Sequence, residues 1–203
     1  SMTPDAPLPP RLAPPGAGLP PLELAIARRL FALRCVLTSR DAALRLIAHE
    51  SVAIPSLLAG RTLREACERV LIPRPRGLED SSRYWSAYMV LEHLRIVNTA
   101  IAGVIEALVA GQKPPHVAST AAVKPSPGVG AEVLSGFAGS CTKLLVAGQA
   151  APSLRTATRF AHPWFGPLDA ARWQVLGGMH MSLHRRQIGL IFSTLAAAPT
   201  GAE

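Results

Sequence analysis

"RWQVLGGMHMSLHRRQIGLIFSTLAA", residues 172–197, decides the fold. Trp173, Leu176, His180, Leu183, His184, Gln187, Ile188 and Ile191 recur at spacings of three and four, the period of one helix face. The pattern predicts a long helix from about Asp169 to about Ala197. His180 and His184 stand one turn apart on that stripe, about 6 Å along the axis. Buried imidazoles need partners. Either hydrogen bonds inside a core satisfy the pair, or the two rings converge on a ligand. Metal–nitrogen distances of about 2.0–2.1 Å make a divalent ion such as zinc a ligand this spacing fits. Arg185 and Arg186 point off the stripe and stay in water.

Three more long helices read outward from this one. Pro21 suits a helix start, and Leu22, Ile26, Leu30, Leu33 and Leu37 form an apolar stripe over about 22–37. That helix either continues to about Ile47 or restarts behind Ser39, a good cap. Residues 50–80 read as connecting material, with a break between Pro55 and Gly60. A short helix over about 63–71 follows the capping-box pattern Thr62-Leu63-Arg64-Glu65, and "IPRPRG" ends it. A second long helix is predicted from Ser81-Ser82 to about Ala110, stopped by Gly111. Its apolar face includes Trp85, Tyr88, Met89, Ile96, Val97, Ala100, Ile101, Val104 and Leu108. A third spans about 131–147. Residues 112–130 and 151–168 read as loops. The expected architecture is an all-α four-helix bundle with long crossover connections, a single domain over 21–198. Residues 1–20, "SMTPDAPLPPRLAPPGAGLP", are Pro-rich and predict an extended, disordered arm.

Composition narrows the function. Of 203 residues, 49% are hydrophobic and only 5% aromatic, which favours a helical core over a sheet. The net charge of +8 invites a nucleic-acid reading. The arginines are dispersed, however, from Arg28, Arg29, Arg34, Arg40 and Arg45 to Arg61, Arg64, Arg69, Arg74 and Arg76. They lack interleaved aromatics for base stacking, so a solvated basic surface is expected and no specific nucleic-acid partner. Cys35, Cys67 and Cys141 are odd in number and far apart. They read as reduced thiols packed in helices, which fits a cytoplasmic protein. No segment approaches ~20 uninterrupted apolar residues, so no membrane partner is expected. No apolar stretch of the signal-peptide kind opens the sequence.

His93, in "YWSAYMVLEHLRIVN", lies on the core face of the second long helix. A lone histidine there is usually satisfied by a hydrogen bond; opposite the His180–His184 pair, it offers a third ligand. Three histidines with open coordination positions are the arrangement of a catalytic metal site. Glu92 points about 100° away and reads as a surface acid. His49 and His116 read as surface residues. His162, which opens "HPWFG", either caps a helix end or lines the mouth of a pocket. Trp85, Met89, Trp164 and Trp173 are the expected apolar pocket walls.

"YWSAYMVLEHL" with His93, "HPWFG" at 162–166, and "RWQVLGGMHMSLHRRQI" with His180 and His184, in this order, resemble the DinB/YfiT-like superfamily, in its uncharacterised branch with the HP-x-FG signature. The resemblance spans about Leu22 to Ala197. It implies a four-helix bundle in which His93, His180 and His184 bind a divalent metal, zinc or nickel. It also implies small-molecule chemistry. Characterised members include metal-dependent thiol transferases using bacillithiol, mycothiol or glutathione, and the maleylpyruvate isomerase branch. The branch often carries a further histidine where this chain has Leu183, which leaves the three-histidine set intact. The expectation is a metal-dependent thiol S-transferase or hydrolase-like enzyme acting on a small molecule, with a low-molecular-weight thiol as a second cofactor. The competing expectation is a noncatalytic bundle that binds a metal or an apolar ligand, or one that merely forms a homodimer.

Overall fold

The computed structural model describes residues 9–198. The described residues are mostly helical, with two small antiparallel strand pairs. The elements are α1 (Pro21–Leu37), α2 (Arg40–Ser56), α3 (Leu63–Cys67), β1 (Val70–Leu71), β2 (Tyr84–Trp85), α4 (Ala87–Val109), α5 (Val133–Ala150), β3 (Phe160–His162), β4 (Gly166–Leu168) and α6 (Ala170–Ala197).

Most boundaries follow from caps. Ser39 accepts from the Ala42 N–H at 3.1 Å, which separates α1 from α2. Thr62 and Glu65 form a reciprocal capping box at α3. Ser86 caps α4 through the Met89 N–H at 3.1 Å, and Asp169 caps α6 through the Arg172 N–H at 2.9 Å. Gly111, at φ +74°, takes the left-handed conformation that ends α4. The start of α4 lies later than the Ser81-Ser82 expected from the sequence. Residues 80–82 form one tight turn, and Tyr84–Trp85 pair with Leu71 and Val70 instead. α2 also runs further than expected, carrying Pro55 in its last turn.

The four bundle helices are α2, α4, α5 and α6. α4 packs on α5 and α6, and α2 closes the ring against α6 and α5. The first predicted long helix is thus a correction: the break at Ser39 sends α2 into the bundle and leaves α1 outside it. α1 buries Phe31, with Leu24, Ala27 and Cys35 half-buried, while the stripe of Leu22, Ile26, Leu30, Leu33 and Leu37 faces solvent. α4 alone among the described helices is long and apolar enough to cross a membrane, yet 61% of that stretch is buried in the bundle. Residues 1–8 of the expected arm lie outside the described residues. Residues 9–20 contain no helix or strand, as an extended segment should, but they lie against the bundle. The Ala13 N–H donates to Asp80 at 2.7 Å, and Leu19 is buried.

Small residues let α6 approach its neighbours. A Cβ on Gly178 would meet Leu46 Cδ2 at 2.9 Å and Cγ at 3.2 Å, and one on Gly177 would meet Leu144 at 3.1 Å. Glu50, 1% exposed, fastens α2 to α6 by accepting from Ser182 Oγ and Arg185 Nε at 2.7 Å each. Gly178→Val should therefore force α2 away from α6 and cost about 1–3 kcal/mol. Chemical denaturation checks this; an unchanged midpoint would show that α2 can yield.

Candidate metal centre

The second long helix of the bundle and the last bring His93, His180 and His184 to one point. His93 Nε2 and His184 Nε2 each lie 3.1 Å from His180 Nε2. His93 and His184 are buried and His180 is partly so. The cluster sits on the wall of a cavity of about 270 Å³.

Hydrogen bonds fix which nitrogens carry protons. His93 Nδ1 lies 2.7 Å from the Val123 carbonyl, which only accepts, so Nδ1 donates and Nε2 presents a lone pair. The Gln187 amide nitrogen donates to the Ser82 carbonyl at 2.8 Å, which turns Gln187 Oε1 towards His184. His184 Nδ1 therefore donates to that oxygen at 2.6 Å, and its Nε2 also presents a lone pair. His180 has no such support: its Nδ1 is buried without a partner. With the proton on Nδ1, His180 buries an unmet donor and three lone pairs face one another. With the proton on Nε2, Nδ1 is an unmet acceptor and one N–H must serve two lone pairs. Either state carries a desolvation cost.

A cation at the common point would remove the lone-pair conflict. Around an ion bound at about 2.0–2.1 Å, two nitrogens stand about 2.9 Å apart at ninety degrees and about 3.3 Å apart at the tetrahedral angle. The observed 3.1 Å separations fall between. The three histidines could thus hold a metal ion, with the Val123 carbonyl and Gln187 orienting two rings from behind, as outer partners of ligating histidines do. All three rings are neutral at pH 7. Burial pushes His93 down to about 4. Burial, reinforced by the neighbouring histidines, holds His180 and His184 well below the usual range.

The expected pocket residues divide. His162, Trp164 and Trp173 line the cavity, with Pro163, Phe160, Leu176, Leu183, Val97, Ile101 and Val104. Trp85 and Met89 do not. Trp85 stacks behind the histidines, its ring centroid 5.2 Å from His93 and 6.3 Å from His184. Met89 is buried in the core. The reason is the strand pair β1–β2, which holds Trp85 ahead of α4 rather than on its inner face.

"HPWFG" is the tip of the β3–β4 hairpin, with His162 paired to Gly166. The Trp164 N–H donates to His162 Nδ1 at 3.1 Å. The proton of the neutral His162 ring is therefore on Nε2, which leaves a donor on the cavity lining. Burial pushes this ring down to about 4. His49 is exposed, and His116 is exposed at the cavity mouth, its ring 5.9 Å from Phe160.

Three features escaped the sequence. The loop over 112–130 forms a cavity wall through Val117, Ala118, Thr120 and Val123. Lys124, in the same loop, binds Glu79 at 2.8 Å and Ser82 Oγ at 3.0 Å. Gln187 was visible on the apolar stripe, but its contact with Ser82 crosses 105 residues. Burial works to raise the Glu79 carboxyl, and the hydrogen bonds from Lys124 and Thr120 outweigh it, holding it below the usual range. Glu79 is the one acid on the cavity lining among the described residues, and it is fully engaged.

Fold and site together define a helical bundle with a three-histidine cluster open to an apolar cavity. A solved structure titled "Crystal structure of TT2238, a four-helix bundle protein" is similar in fold, with a TM-score of 0.55 and 21% identity, covering 74% of this chain and 98% of that one. No protein-family model and no curated protein matches the chain.

Proposed function

We propose that this chain is a divalent-metal-dependent enzyme acting on a small apolar molecule, with thiol S-transfer as the reaction class and a reducing, cytoplasmic setting. The observation that carries it is the convergence of three neutral imidazoles, two with fixed Nε2 lone pairs, on the wall of a cavity. The motif resemblance to the DinB/YfiT-like bundles points the same way. Zinc or nickel suits neutral imidazole ligands.

When bound, a divalent ion supplies a positive centre that lowers the pKa of a thiol or water and polarises an electrophile. The chain's own residues supply the surroundings. Val97, Ile101, Val104, Phe160, Trp164 and Trp173 hold an apolar substrate and exclude water. His162 offers its Nε2–H as a hydrogen bond to a polar atom of that substrate. No protein thiol serves as nucleophile here: Cys35 and Cys141 are pushed up to about 11 by burial, and Cys67 is not on the cavity lining. The thiol must arrive from solution. With Glu79 held by Lys124, no carboxylate on the lining is free to act as general base.

The test is turnover of a chromogenic electrophile with a low-molecular-weight thiol, using protein purified without a His-tag and analysed for metal content. Turnover that follows metal loading supports the enzyme. Metal-loaded protein that turns over no electrophile with any such thiol would leave a noncatalytic metal- or ligand-binding bundle. His162→Phe should keep metal affinity and lower kcat/KM about 10–100-fold through loss of the substrate hydrogen bond. Unchanged kcat/KM would remove His162 from the site.

A further inference from the structure

The turn over residues 79–82 stands behind the histidines and reaches two of them by different routes. On one side the Ser82 carbonyl accepts from Gln187, whose Oε1 accepts from His184 Nδ1. On the other, Glu79 and Ser82 Oγ accept from Lys124 Nζ at 2.8 and 3.0 Å. Lys124 follows Val123, whose carbonyl accepts from His93 Nδ1 at 2.7 Å. The first route ends on a helix, α6. The second runs through a loop that has little else to hold it. Among the described residues, the hydrogen bonds tying 113–126 to the rest of the chain run from Thr120 and Lys124 to Glu79, from Lys124 to Ser82, and from His93 to Val123. Thr120 and Lys124 thus bracket Val123, and both are fastened to one carboxylate that is 5% exposed.

Charge alone gives Lys124 no reason to be there. Burial is the main cause of the low basicity of His93, His180 and His184, and the nearby Lys124 ammonium lowers all three further. The same repulsion acts on any cation held by the cluster. Geometry supplies the compensation. A free neutral imidazole carries its proton on either nitrogen, and only the Nδ1–H form turns an Nε2 lone pair to the common point. The Val123 carbonyl selects that form for His93, as an outer partner of a ligating histidine does. It can do so only while the loop is seated.

We propose that Lys124, clamped by Glu79 and Ser82, is the positioning residue for His93: it seats the Val123 carbonyl on Nδ1 and so fixes the Nε2 lone pair that His93 offers a metal ion. The proposal rests on the metal-centre reading above.

The sign of one substitution separates position from charge. Lys124→Met removes a repelling cation, so a purely electrostatic role predicts tighter zinc binding. The positioning role predicts binding weakened at least about tenfold. Because Lys124→Met leaves the buried Glu79 carboxylate unpaired, the double variant Lys124→Met with Glu79→Gln is measured beside it, each checked for folding by circular dichroism. Zinc affinity is read by competition with a chromogenic chelator on the full, chelator-treated chain. Imidazole nitrogen NMR of the metal-free chain reads the tautomers directly. In the double variant His93 should lose its single Nδ1–H form, while His184, held through Gln187, keeps its own. General loosening would disturb both rings alike. Zinc affinity that is unchanged or tighter in both variants overturns the proposal, and so does a His93 ring that keeps its Nδ1–H form without Lys124. A parent that binds no zinc refutes the metal-centre reading instead, and the tautomer pattern then still decides whether Lys124 positions His93.

Discussion

Zinc titrated into chelator-treated protein will raise its melting midpoint by about 5–10 °C, and His180→Ala will abolish most of the rise. The magnitude follows from mass action. Free zinc a hundredfold above its Kd stabilises the folded state by about 2.7 kcal/mol, and a chain of this size gains about 2–4 °C per kcal/mol. His180 is the discriminating position because it stands 3.1 Å from both other ring nitrogens. Its removal takes away a ligand and the centre of the cluster together. His116→Ala, at the exposed cavity mouth, should retain the full zinc-induced shift. Gln187→Leu should weaken binding about 10–100-fold while keeping all three imidazoles, since it frees the His184 ring and tautomer. The readout is the zinc-induced shift, because relieving the lone-pair conflict changes the metal-free midpoint of each variant on its own. A triple alanine variant at His93, His180 and His184 that still shifts like the parent would sink the metal centre.

What the sequence made legible depends on the range of the interaction. Helical periodicity and caps act within a few residues: α6 and α5 stand close to where the pattern put them, and of the two courses the sequence left open at Ser39 the structure takes the restart. Periodicity also put His93, His180 and His184 on inner faces. It could not say which way an apolar stripe looks. α1 carries one as regular as that of α6, yet it faces solvent, because the short Thr38–Ser39 connection spends the bundle position on α2. The β1–β2 and β3–β4 pairs are two and three residues long, too short for an alternating pattern, and their partners are set by chain closure. For the same reason helical periodicity puts Trp85 on a pocket wall, whereas it backs the histidines. The Val123 carbonyl is invisible to side-chain motifs altogether. The groups that orient the rings were thus the least legible part of the site, although they decide its proton arrangement.

Metal-free protein will lose stability steeply as the pH falls from about 6.5 to about 4. The His93 and His162 rings are pushed down to about 4 in the folded chain by burial, against 6.5 when unfolded. Above pH 6.5 neither state takes up these protons, so stability is flat in this respect. Below it the unfolded chain binds a proton at each histidine and the folded chain does not, so unfolding is favoured until the folded pKa is reached. At 1.36 kcal/mol per pH unit, each of these two rings accounts for about 3 kcal/mol. His180 and His184, also held well below the usual range by burial first and then by neighbouring histidines, add in the same direction. The loss is a large share of the 5–15 kcal/mol that holds a typical domain together. Carboxylates act in a lower window. Glu23 is held down by Arg74, and Asp80 by the Ala13 N–H and Arg83. Such groups stabilise the fold above their unfolded pKa near 4 and lose that contribution only as pH falls further. Denaturation midpoints at pH 7.5, 6, 5 and 4.5 separate the two windows. His162→Phe should reduce the slope between 6 and 4.5 by about one proton. Zinc-loaded protein should begin its decline at lower pH, because bound metal competes with the protons. A midpoint constant from pH 7 to 4.5 in metal-free protein would mean that the cluster takes up protons while folded, and that the three rings are not the buried neutral set on which the metal centre depends.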